Sequence, residues 1–147
     1  MKNIVSILFG VLGILAAVQV NAANFVVKEL NTGPGGTFVF DPTFLRVQPG
    51  DTVTFEATDP GHNSKSVLIP TGAKSWESGI SKSLTITLNL PGVYIYECVP
   101  HNLFGMVGVI QVGAAVNKAE ADKQAQAMEK KQIMNQGRIS QTMSKIQ

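Results

Sequence analysis

The sequence predicts an all-β sandwich followed by two C-terminal α-helices, and three observations carry that prediction. From Phe25 to Val112 the chain is a series of short runs rich in Val, Phe, Thr and Ile, side chains that fit a pleated, half-buried surface. Gly and Pro punctuate those runs at Gly33-Pro34-Gly35-Gly36, Pro49-Gly50-Asp51, Asp59-Pro60-Gly61 and Pro91-Gly92, so turns bound the strands. After Gly113 the composition changes to Ala, Lys, Glu, Gln and Met, which favour helix.

Residues 1–22 read as a secretory signal peptide. Lys2 precedes an apolar run from Ile4 to Val18, and small residues lead to a cut after Val20-Asn21-Ala22. The run is too short for a membrane span, so no membrane insertion is expected once the leader is removed. Residues 23–147 then suit one domain: a sandwich over 23–113 and a helical extension over 114–147. The formal net charge is +2, and losing Lys2 leaves about +1, which argues against nucleic-acid binding or a strongly basic membrane patch.

The expected strands are Phe25 to Leu30, Thr37 to Phe40, Phe44 to Val47, Thr52 to Ala57, Ser83 to Leu88, Val93 to Glu97 and Val107 to Val112. In Leu84-Thr85-Ile86-Thr87-Leu88 the alternation is clean, so the three apolar residues face the core and the threonines face water. Leu68 to Ser83 is irregular, and Trp76 within it is assigned to the core or a sheet edge. Helices are expected over Asn117 to Asn135 and Arg138 to Ile146, with Ala121, Ala125, Met128, Ile139 and Met143 folding back onto the sandwich.

One stretch stands apart from this pattern. Cys98-Val99-Pro100-His101-Asn102-Leu103-Phe104-Gly105-Met106 places the only cysteine, one of two histidines and a methionine in a loop between two strand-like runs. Thiolate, imidazole and thioether are soft donors that suit copper far better than calcium or magnesium; redox-inert zinc also fits. His62 is the other imidazole in the chain, and with it the four donors match the arrangement of a blue-copper site. A lone cysteine exported to an oxidising compartment is exposed to oxidation or intermolecular pairing, and metal ligation protects it. Singly, each of the four reads as core filler or a surface residue; together, at these spacings, they read as a site.

The Cys98, His101 and Met106 spacing, with Gly61-His62-Asn63 upstream after Pro49-Gly50-Asp51-Thr52-Val53, resembles the cupredoxins, and within them the pseudoazurins. The resemblance implies a Greek-key sandwich with two C-terminal helices. It also implies one type I copper held by His62, Cys98, His101 and Met106, with Asn63 tying the two ligand loops together. The implied function is a monomeric, periplasmic one-electron carrier and not an enzyme. Its redox partners would be copper nitrite reductase, nitrous oxide reductase or c-type cytochromes, docking on an apolar patch of Pro60, Pro100, Leu103 and Phe38 around His101. A copper chaperone or storage protein is the alternative. Two histidines and one cysteine are too few for a multicopper oxidase or a binuclear copper site. The chain departs from the family at Thr32, Pro60, Glu77 and Glu97, which stand where pseudoazurins commonly carry lysines.

Overall fold

Eight strands precede two helices in the order β1 (Asn24–Gly33), β2 (Gly36–Asp41), β3 (Phe44–Val47), β4 (Asp51–Glu56), β5 (Lys65–Leu68), β6 (Leu84–Leu88), β7 (Gly92–Glu97), β8 (Val107–Val112), α1 (Lys118–Glu129) and α2 (Arg138–Met143). This computed structural model describes residues 21–147, so the signal peptide expected over 1–22 lies outside the described residues but for its last two positions. One sheet has the order β2-β1-β4-β6 and the other β3-β8-β7-β5. The chain crosses between them, so β1 runs parallel to β4 and β3 parallel to β8 while the remaining pairs are antiparallel. The expected Greek-key sandwich and the two helices are both present.

Strand composition explains the layers. Along β7, Tyr94 and Tyr96 enter the core between the sheets with Phe40, Phe55 and Trp76. Val93 and Ile95 face the other way and join Val107 and Val109 of β8 beneath Ala121, Ala125, Met128, Ile139 and Met143. A strand buried on both faces reads as a continuous apolar run, as Val-Tyr-Ile-Tyr does here. The helices therefore cover the outer face of one sheet.

Two expectations need correction. Lys65–Leu68 forms the edge strand β5, which the sequence hides because its four residues are all half-buried and its register is broken between Ser66 and Leu68. The first helix stops at Glu129, short of the expected Asn135. Beyond it the Ile133 amide donates to the Leu103 carbonyl, and Asn135 adopts φ 51°. Tertiary bonding to the Cys98 loop thus overrides helix propensity at this end.

One buried group opposes the fold. Glu29 is fully buried on β1, and neither carboxylate oxygen has a hydrogen-bond partner among the described residues. Burial pushes its carboxyl up to about 7, because a charge without water or a partner is costly. The unfolded chain ionises near 4.5, so between these values the native state binds more protons and stability falls as pH rises. Glu29→Gln should therefore be the more stable protein at pH ~8, by up to about 3 kcal/mol, with the gain vanishing near pH ~4.5. Urea unfolding across that range checks it.

Candidate metal centre

The site lies at one end of the sandwich, where the β4–β5 and β7–β8 connections meet. Gly61 takes φ 91°, and its amide donates to the Ser81 hydroxyl at 2.9 Å. The Ser81 amide in turn donates to the His62 carbonyl at 2.8 Å, which fixes the backbone that carries the imidazole. In the second connection, Pro100 lies in the first turn of a short 3₁₀ helix over Val99–Phe104, and Gly105 ends it at φ 72°. The Cys98 amide donates to the Met106 carbonyl at 3.0 Å, closing the loop at its base.

This geometry brings three of the four expected donors face to face. His62 Nδ1 lies 3.1 Å from His101 Nδ1, and Cys98 Sγ lies 3.6 Å and 3.4 Å from them respectively. The centre of that triangle is about 2 Å from each atom, the length of a metal–imidazole bond. Among the described residues this is the one cluster of three or more His, Cys, Asp or Glu able to hold a metal. Met106 is fully buried in the same core cluster as Cys98, at the far end of the same loop.

The surroundings orient the donors. Asn31 Oδ1 accepts from His62 Nε2 at 2.9 Å, which places the proton on Nε2 and leaves the Nδ1 lone pair facing the triangle. Asn63 Oδ1 accepts from the Val99 amide at 2.8 Å, and Asn63 Nδ2 donates to the Ser78 carbonyl at 3.2 Å. The expected tie between the two loops is thus present. Phe38 stacks on His101 with centroids 4.2 Å apart and planes 15° from parallel. Asn31 was missed in the sequence, although it continues the Val27 and Glu29 spacing of two to the exposed end of β1.

Electrostatics favours neutral imidazoles and a reluctant thiol. Burial lowers the His62 pKa, and the neighbouring His101 lowers it further against an opposing pull from Asp59. Burial also lowers that of His101. For Cys98, burial pushes the thiol up to about 11; the backbone amides of Asn63 and His101 favour the thiolate, while Glu29 and Glu97 oppose it. Both imidazoles therefore offer lone pairs at neutral pH, and the thiol needs a cation to ionise.

His62, Cys98 and Met106 are buried, and His101 is half-exposed. Of the residues expected in the apolar patch, Phe38 stacks on His101 and is half-buried, while Pro60, Pro100 and Leu103 are exposed. Val99 extends it.

Comparison with known proteins agrees with this arrangement. The model of the family described as copper binding proteins, plastocyanin/azurin family, matches residues 27–113. A pseudoazurin from Paracoccus pantotrophus is 41% identical over 111 residues, 74% of this chain and 77% of that protein. The crystal structure of pseudoazurin from Methylobacterium extorquens AM1 superposes with a TM-score of 0.72 at 34% identity, covering 84% of this chain and 99% of that one. That of native pseudoazurin from Hyphomicrobium denitrificans gives 0.71 at 32%, covering 84% and 98%.

Because the thiol rather than an imidazole holds a proton at neutral pH, metal binding should release one proton. The apparent affinity of the metal-free chain for Zn(II) should rise about tenfold per pH unit from pH ~7 to ~9. Cys98→Ser should flatten that slope, and competition titration with a chelator reads both.

Proposed function

We propose, since the chain belongs to the plastocyanin/azurin family of copper-binding proteins, that it is a diffusible one-electron carrier whose single type I copper is held by His62, Cys98, His101 and Met106. The convergence of two imidazole nitrogens and the thiol on one point, 3.1–3.6 Å from one another, carries this reading. When bound, copper supplies the one-electron couple between Cu(I) and Cu(II).

The chain's own residues supply rigidity and access. Fast electron transfer requires donors that barely move, and here Asn31, Asn63 and Ser81 hold the His62 loop while the Cys98 and Met106 main chains bond across the other. His101 gives the site its route outward: it is the half-exposed donor, on a loop whose Pro100 and Leu103 are exposed, with Pro60 exposed on the His62 loop. A small apolar patch of this kind suits brief, weak docking.

On this reading the protein turns over no substrate. It works as a monomer in the periplasm after loss of residues 1–22, with residues 23–113 as the metal-carrying sandwich and 114–147 as its helical extension. It exchanges electrons with redox proteins such as copper nitrite reductase, nitrous oxide reductase or c-type cytochromes. A copper-delivering role is the weaker reading, because burial of His62, Cys98 and Met106 disfavours ready handover of the ion.

Adding Cu(II) to the full chain should produce an intense thiolate-to-copper absorption band that Cys98→Ser abolishes; a colourless parent protein would remove the reading. Steering by charge should be weak. Lys65 is paired with Glu77 at 3.0 Å, Glu97 accepts from Asn102, and Lys131 shares a surface cleft with both Glu97 and Leu103, so the lysines beside the patch are offset by carboxylates. Electron-transfer rates with a c-type cytochrome should change little with ionic strength, and a steep fall with added salt would contradict this.

A further inference from the structure

Arg138, the first residue of α2, is 8% exposed and pairs with no carboxylate among the described residues. Its guanidinium is spent on main-chain carbonyls. Nη1 donates to Phe38 at 2.7 Å and Gly105 at 2.8 Å, and Nη2 to Gly35 at 2.9 Å and Thr37 at 3.0 Å. Burying a cation is costly unless its donors are filled, and here they bridge the β2 segment and the end of the Cys98 loop, which share no main-chain hydrogen bond among the described residues.

The residues so held are not ordinary ones. Phe38 stacks on His101 and sits at φ 48°, a left-handed conformation that a bulky residue adopts only when its surroundings impose it. Gly105, at φ 72°, directly precedes Met106 and follows the 3₁₀ turn carrying His101. Neighbours of Arg138 grip the same places. Asn135 Nδ2 donates to the carbonyls of Phe104 at 2.7 Å and Thr37 at 3.1 Å, and the Ile133 amide donates to Leu103 at 2.8 Å. A Cβ on Gly105 would lie 2.9 Å from the Met134 carbonyl oxygen, so this segment lies flat against the loop.

We propose that Arg138 is a positioning residue of the metal centre: through Gly105 it fixes the loop bearing His101 and Met106, and through Phe38 it fixes the ring stacked on His101. The proposal rests on the reading of His101 and Met106 as copper ligands. A guanidinium is required because only its planar fork reaches both carbonyl sets at once; an ammonium is a point donor.

The test compares Arg138→Met, Arg138→Lys and Met143→Ala in the full chain. Met143 is buried on α2 among the helix-covered residues and is not part of the clamp, so its truncation loosens the helix while leaving the guanidinium in place. In the metal-free protein, Arg138→Met should speed amide exchange at Gly105 and Met106 by about tenfold or more relative to Met143→Ala matched for stability. With Cu(II) bound, Arg138→Met should shift the reduction potential and the relative intensities of the thiolate-to-copper bands. Arg138→Lys should fall between, and Met143→Ala should lower the melting temperature alone. If Arg138→Met does not fold, the Lys variant carries the same decision. Unchanged exchange, spectrum and potential in the folded Arg138 variants would overturn the proposal. Absence of any copper band in the parent would instead remove the function it rests on.

Discussion

Three electron-rich atoms, two imidazole nitrogens and one sulfur, are held by this fold within van der Waals reach of each other. Lone pairs so placed repel unless a proton or a cation lies between them, so the arrangement persists only where the surroundings leave the donors nowhere else to point. Much of the molecule follows from that constraint. The two loops bearing the donors are tied by Asn63, and the His62 ring is anchored by Asn31 from β1, the neighbour of β4. The 3₁₀ turn carries a proline in its first turn, which narrows the conformations open to the loop, and ends at a glycine able to take the left-handed conformation there.

The core beneath the site is unusually polar for its depth. Tyr96 is wedged between Phe40 and Phe55, with centroids 4.8 Å and 4.9 Å away, and its hydroxyl, like the Glu29 carboxyl, has no hydrogen-bond partner among the described residues. Glu29 raises the pKa of both Tyr96 and Cys98 when charged. A neutral Glu29 is therefore the form compatible with the packing around it. Gly108 serves the same wedge, since any Cβ there would lie 2.3 Å from the Tyr96 hydroxyl oxygen.

How much could be seen in advance depended on whether a signal was local. The strands, and the Cys98–Met106 segment, were legible because period-two alternation, punctuating Gly and Pro, and the spacing of Cys98 and His101 are written in nearby residues, and His62 followed as the other histidine in the chain. The edge strand β5 was not, because a Lys and a Ser on a bulged strand show no alternation. The early end of α1 escaped for a different reason: residues 130–135 have helical propensity, and only contact with the Leu103 carbonyl diverts them. Asn31 and Arg138 are ordinary polar residues in sequence, and what distinguishes them is where the topology delivers them, across about 30 residues to His62 and about 100 to β2.

The clamp also sets an order of events. Arg138 and Asn135 come after His62, Cys98, His101 and Met106 in the sequence. A polypeptide emerging amino terminus first delivers these four residues before Arg138 and Asn135. Until residues 135–138 arrive, the nascent molecule has the Cys98 loop without the bonds that Asn135 and Arg138 make to Phe104 and Gly105, and a copy truncated before Asn135 never acquires them.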